Sequence, residues 1–353
     1  MTDPIIVRGG PGGTLFVGPE TAPVLGEGAA PLDTAVLEVR GGHLVWSVLA
    51  GQLFPAAVID DADAAQEWIW AVFGARIALA VADFDGTPTE FVPEPALPAL
   101  VGRVRKLGYA HWAARWWPAS TLDDIPPLDE RLVDIDIATL TSECDLLVDG
   151  ADAIGADTDD DLAPRPGADR AENLAPRVDR AEDYALAAGP AADTAFDALI
   201  LARGVGGWDW RRCPPGIVDA SERALSWEVL RRPGATVFQV SAVAAPRPNA
   251  AVPPHLWPRA RLRSPAATAV AELTLSGDVW TGAAFAPDRW ESAVTVEVYV
   301  PGVGPADSAD PGDARIRPQL REFAATRLRN AGRTPDDTTL LAEIAAATTD
   351  MDF

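Results

Sequence analysis

Residues 150–192 set the limits on what this chain can fold into. Ala, Asp, Pro, Arg and Gly dominate that stretch, and bulky apolar side chains are nearly missing. Such a segment buries too little surface to offset the entropy of ordering it. A packed core must therefore come from the residues on either side, and the stretch reads as a flexible insertion. Within it, Leu162-Ala-Pro-Arg165 returns as Leu174-Ala-Pro-Arg177, and Asp169-Arg-Ala-Glu172 returns as Asp179-Arg-Ala-Glu182. Two copies of a short period mark a local duplication, not a solenoid.

The charge is divided near the same place. Residues 1–200 hold 34 Asp and Glu against 12 Lys and Arg, whereas residues 201–353 hold 18 against 17. Residues 123–200 alone carry 21 acids and 5 bases. Such a block repels nucleic acid and anionic membranes. It is either a solvated insertion or a docking surface for a partner with a basic face. No uninterrupted apolar run reaches the about 18 residues a membrane span needs. Met1-Thr-Asp-Pro shows neither the basic nor the apolar region of a secretory signal, so the expected location is cytoplasmic, without membrane insertion.

Several chemistries are excluded by residue usage. The single lysine, Lys106, lies in Gly102-Arg-Val-Arg-Lys-Leu-Gly108, which is no phosphate-binding P-loop. Cys144 and Cys213 are far apart, without a C-x-x-C pair, and His43, His111 and His255 are scattered. Neither a zinc site nor a redox pair is expected from that spacing. No G-x-S-x-G is present to suggest a serine nucleophile. No cofactor is expected.

Local patterns predict the elements. Residues 35–40 and 43–48 form a hairpin around Gly41-Gly42. Asp60-Asp61 caps a helix over 62–73. Ile77–Val81, a continuous apolar run, reads as a buried strand. A helix runs from about Leu100 to Trp117, and another opens at Pro126-Pro127 and ends near Gly150. Thr194–Leu201 reads as a helix. Alternating runs at 225–229, 237–241, 269–275, 279–282 and 293–300 predict antiparallel strands. Helices follow over 317–330 and 335–347. The expected class is α+β. A mixed α/β domain covers 1–122, and an acidic helical segment with the 150–192 insertion covers 123–205. An antiparallel β sandwich or barrel-like domain covers 206–305, and terminal helices with an acidic tail cover 306–353.

Two constellations pair cations with aromatics. The first comprises Arg103, Arg105, Lys106, His111, Trp112, Arg115 and Trp116; the second comprises Trp208, Trp210, Arg211 and Arg212. Guanidinium–indole stacking suits both. These residues are the candidates for docking a partner or an anion. A third motif, Ile77-Ala-Leu-Ala-Val-Ala-Asp83-Phe-Asp85-Gly86-Thr87, resembles the first motif of haloacid-dehalogenase-type phosphotransferases. The resemblance implies Asp83 as phosphoryl-accepting nucleophile, Asp85 as general acid/base and a bound Mg²⁺. It covers eleven residues, and Lys106 and Asp278 do not match the family's later lysine and acidic pair. The expected function is that of a non-enzymatic binding or assembly protein. The Mg²⁺-dependent phosphotransferase is the alternative.

Overall fold

The structure, a computed structural model, describes residues 4–23, 30–148, 198–246, 252–264, 267–286, 295–304 and 313–349. The 150–192 insertion and its duplication lie outside the described residues. Among the latter are six α-helices and three antiparallel sheets, an α+β fold.

The first sheet contains β1 (Ile5–Gly9), β2 (Leu15–Gly18), β3 (Thr34–Val39), β4 (Gly42–Ser47), β5 (Ala56–Ile59) and β6 (Thr89–Phe91), in the order β3-β4-β5-β2-β1-β6. Val39 pairs with Gly42, so the predicted hairpin forms with its two-residue turn on Arg40-Gly41, one residue earlier than expected. Helix α1 (Ala62–Phe73) starts where its cap predicts, the Asp61 carboxylate accepting from the backbone N–H of Asp63 and Ala64.

Ile77–Val81 is not a strand. It lies inside helix α2 (Ala75–Ala82), with Ile77, Ala78 and Val81 buried and Leu79 exposed. A short apolar run is ambiguous by periodicity alone. Gly74, at φ 101°, lets the chain turn sharply after α1 and start a second helix against it. Alanine-rich sequence then favours the helix.

Helix α3 (Pro98–Trp116) is the centre of the N-terminal half. It packs against β3, α1 and helix α4 (Glu130–Glu143). Its approach to the sheet depends on Gly108: a Cβ there would lie 2.0 Å from the Trp46 ring on β4. Helix α4 begins at its Asp129 cap, not at Pro126-Pro127. Ile125 instead pairs with Ser120 in an isolated bridge just before those prolines.

The C-terminal half holds two antiparallel sheets. One is ordered β12-β13-β9-β8-β7, from β7 (Leu199–Gly206), β8 (Leu225–Arg232), β9 (Ala235–Val243), β12 (Thr274–Ser276) and β13 (Val279–Ala286). The other, β11-β10-β14, comprises β10 (Arg259–Ser264), β11 (Ala267–Glu272) and β14 (Thr295–Tyr299). The chain passes between sheets at buried Leu273, which separates β11 from β12. Phe238, Trp280, Leu262 and Val298 fill the interior. Residues 199–201, expected in a helix, open strand β7; pairing with β8 decides the matter, with a register shift between Ile200 and Ala202.

Two helices close the chain. Helix α5 (Asp313–Arg333) buries Leu320, Ala324, Leu328 and Ala331 at helical spacing. Helix α6 (Leu341–Thr349) starts later than predicted. Residues 336–339 form a turn in which the Asp336 carboxylate accepts from the Thr338 backbone. Both helices turn back to the N-terminal half, where α6 packs on α4.

Glycines 102 and 108 of α3 make opposite predictions. Gly108→Ala lowers stability by about 1–3 kcal/mol through overpacking against Trp46. Gly102, whose Cβ would meet nothing within 4 Å, gains about 0.5–1 kcal/mol on conversion to Ala. Urea denaturation of the two variants measures both.

Candidate functional site

Structure divides the α3 constellation into buried and exposed members. Trp112 is buried, and its indole donates to the Leu32 carbonyl at 2.8 Å. Its ring stacks on Tyr109 and meets the edge of Phe323 from α5. Arg103 is exposed and pairs with Glu143 of α4 at 3.3 Å. Arg105 and Lys106 are half-buried, and burial lowers the Arg105 guanidinium from its ordinary value. His111 and Arg115 are exposed, and the Arg115 guanidinium lies 5.1 Å from the ring of half-buried Trp116. The helix thus presents a rim of cations and one indole, while its largest aromatic belongs to the core.

Residues 208–212 are inside the molecule. Trp208 and Trp210 are buried, and the Trp208 indole donates to the Asp219 carbonyl at 2.7 Å. Arg211 grips Asp313 at the start of α5, with Nε 2.7 Å from Oδ2 and Nη2 3.0 Å from Oδ1, and also donates to the Ala30 carbonyl. Arg212 reaches Glu297 of β14 at 3.2 Å. These four residues hold elements together, and a partner would have to displace those contacts to reach them. The two constellations do not merge into one surface. Both approach α5, Trp112 through Phe323 and Arg211 through Asp313.

Buried acids complete that frame. The Asp219 carboxylate, in the loop before β8, accepts from the Ser120 hydroxyl at 2.7 Å, the Thr121 N–H at 2.7 Å and the Ser221 N–H at 2.8 Å. Burial raises its carboxyl above the ordinary value, and these hydrogen bonds oppose the rise. Glu222 takes both arms of Arg317, at 2.6 and 3.1 Å, and one from Arg321 at 3.3 Å. Burial alone would raise the Glu222 carboxyl; Arg317 and Arg321 outweigh it and hold the carboxyl below its ordinary 4.5. At the far end of α5, Glu343 is fully buried. It accepts from the Tyr109 hydroxyl at 2.7 Å, from Arg327 at 2.8 and 2.6 Å, and from the Leu340 N–H at 2.8 Å. Burial and the Glu343 charge raise the Tyr109 phenol well above its ordinary value.

The candidate catalytic groups do not converge. With Ile77–Val81 helical, Asp83 is the C-cap of α2 and is exposed, rather than following a strand as the phosphotransferase resemblance implies. Asp85 is exposed too. The Thr87 N–H donates to its carboxylate at 2.9 Å and lowers its value. Among the described residues no three His, Cys, Asp or Glu side chains come together to hold a metal ion, around Asp83 and Asp85 or elsewhere. Burial pushes the Cys144 thiol up to about 12 and raises Cys213 as well, the reverse of what a thiolate nucleophile requires.

What remains open lies on the C-terminal sheets. Among the described residues strand β7 is at the sheet edge and pairs with β8 alone. Leu199, Ile200, Leu201 and Val205 are 65%, 47%, 37% and 62% exposed. The register places Leu199 opposite Arg231 and Ile200 opposite Leu230, so β7 offers apolar side chains on both faces. On the Ile200 face an apolar row crosses the sheet through buried Leu230, half-buried Val237 and exposed Phe285. Phe285 is 80% exposed. Sequence reasoning passed over this row because it spans four strands and exists only after pairing. Its local signal was Leu199-Ile-Leu201, and that was read as helix.

Comparison with protein-family models, curated proteins and solved structures finds no match to this chain.

The buried network makes two predictions. Arg327→Ala strands the Glu343 charge and costs about 3–5 kcal/mol of stability, whereas Tyr109→Phe removes one hydrogen bond and costs about 1–2 kcal/mol; chemical denaturation distinguishes them. The second concerns pH. Because the folded Glu222 carboxyl lies below 4.5, its ion pairs contribute stability that is fully present above that pH and lost as the pH falls through the folded value. The stability gap between wild type and Glu222→Gln therefore holds constant from about pH 7 to 5 and closes on further acidification. Thermal melts across that range check the sign.

Proposed function

We propose that this protein is a non-enzymatic binding or assembly component of a cytoplasmic multi-protein system, docking a partner with a basic surface. The supporting observation is β7. Native edge strands are normally short, charged or covered, because an open row of N–H and C=O groups recruits other chains. Strand β7 is eight residues long, with four exposed aliphatic side chains and an apolar row beside it. That combination suits strand addition, in which main-chain hydrogen bonds give affinity and side-chain pockets give register.

Charge supplies the partner's sign. The acidic block of residues 123–200 runs to Asp197, two residues before β7. A partner strand with basic flanks gains from that proximity, and the gain is screened by salt. The chain's net charge of −23 weighs against nucleic acid. Among the described residues no helix is long and apolar enough to cross a membrane. Of the sequence candidates, Arg103, Lys106, His111, Arg115 and Trp116 remain accessible as a second contact surface.

Affinity purification from the native host, with wild type and with Ile200→Lys/Val205→Lys, tests the reading. A stoichiometric protein retained at low salt, released at high salt and lost in the variant is the expected result. A partner held equally by a correctly folded variant contradicts docking at β7.

A further inference from the structure

We propose that the outer face of the β11-β10-β14 sheet is a binding site for a phosphoryl group carried by a small molecule. Its accessible donors are Arg261 and Arg263, beside Glu297 and Tyr299, while buried Arg212 engages Glu297 from inside the molecule and adds charge without itself facing the ligand. It shares no residue with the β7 edge and does not depend on the docking reading.

The argument starts from period two. On β10, Arg259, Arg261 and Arg263 alternate with buried Ala260 and Leu262, so the three arginines share the solvent face. Register places Arg261 opposite Glu297 and Arg263 opposite Thr295. The 210–212 turn brings in a further guanidinium from outside the sheet. Arg212 and Glu297 are 3.2 Å apart, and Arg261 and Arg263 each stand 3.7 Å from the same carboxylate oxygen, Oε2.

Three fixed positive charges thus surround one negative charge. Glu272 does not relieve the excess, because its carboxylate pairs with Arg259 at 2.8 Å. Two guanidiniums lie over the Tyr299 ring, Arg261 at 4.6 Å and Arg212 at 5.2 Å from its centroid. Cation–π contact holds both planes in place before any ligand arrives. The Arg212 side chain is only 7% exposed, and its Nε has no hydrogen-bond partner among the described residues. Leaving a buried charged donor unmatched is costly. Arg261 and Arg263 are partly open to solvent, at 24% and 43%.

Among the described residues three guanidiniums face one carboxylate, and that excess matches a dianionic phosphoryl group, which accepts N–H bonds from guanidinium planes. The setting sharpens the contrast, since the chain as a whole carries −23. Glu297 then has a definite part. It occupies one side of the cluster in the free protein and competes with the ligand for the same guanidiniums.

That competition makes the test two-sided. Inorganic pyrophosphate and inorganic phosphate are titrated by calorimetry into the full chain, with acetate and sulfate as comparison anions. Wild type binds pyrophosphate more tightly than phosphate or sulfate, and all three more tightly than acetate, and the affinity falls as salt rises. Glu297→Gln binds several-fold tighter, Arg261→Ala/Arg263→Ala loses the binding, and Arg259→Ala keeps it. The Glu297 variant removes a charge without truncating the side chain, so it reads the site even where the double alanine variant folds poorly. Equal affinity in wild type and in a folded Arg261→Ala/Arg263→Ala variant overturns the proposal. So does weaker binding in Glu297→Gln, or no binding in either protein.

Discussion

The structure depends on the charged stripe of α5. Asp313, Arg317 and Arg321 follow one another at four-residue spacing and meet Arg211, Glu222 and Asp123 in turn. Further along the same helix, Phe323 and Arg327 reach Tyr109 of α3 and Glu343 of α6. One helix therefore touches the β half with its first turns and the α half with its last. Buried ion pairs give little net free energy over apolar packing, but breaking one partner is costly. Their effect here is on register. Sliding α5 by one turn would strand Asp313, Arg317 and Arg327 together, so only one docking of the helix satisfies all of them.

That frame explains the fate of the aromatic and cationic residues. Trp112, Trp208 and Trp210 each sit close to α5 or to the loops it grips, and the Trp112 indole is satisfied by a carbonyl 80 residues away, the Trp208 indole by one 11 residues on. Arg211 and Arg212 are anchored by acids 102 and 85 residues later in the chain. With these groups used internally, the two surfaces proposed for binding lie on the C-terminal sheets: the edge and outer row of the five-stranded sheet, and the arginine face of the three-stranded one. The two differ in chemistry, one apolar beside an acidic run of sequence, the other cationic.

The legible parts of the fold are those decided locally. Alternation located the strands on either side of the Pro233-Gly234 and Gly277-Asp278 turns, and the Asp61 carboxylate started α1 where its position implied. Helix α3 followed from its apolar spacing between Pro98 and Pro118. The misread segments are short apolar runs, Ile77–Val81 and Leu199–Leu201, whose state is set by what packs or pairs with them. The pairings of Arg211 with Asp313, Tyr109 with Glu343 and Ser120 with Asp219 were not legible at all, because the partners lie 102, 234 and 99 residues apart. The arginine face was legible in principle: Arg259, Arg261 and Arg263 alternate in the sequence, but their excess charge appears only once Arg212 and Glu297 are brought beside them.

The central claim is that α5 makes the two halves one cooperative unit. Differential scanning calorimetry of the full chain tests it most directly. The account predicts a single transition whose calorimetric and van't Hoff enthalpies agree, and two separated transitions in Arg317→Ala/Arg327→Ala. Two resolved transitions in the wild-type chain, unchanged by that substitution, would contradict it.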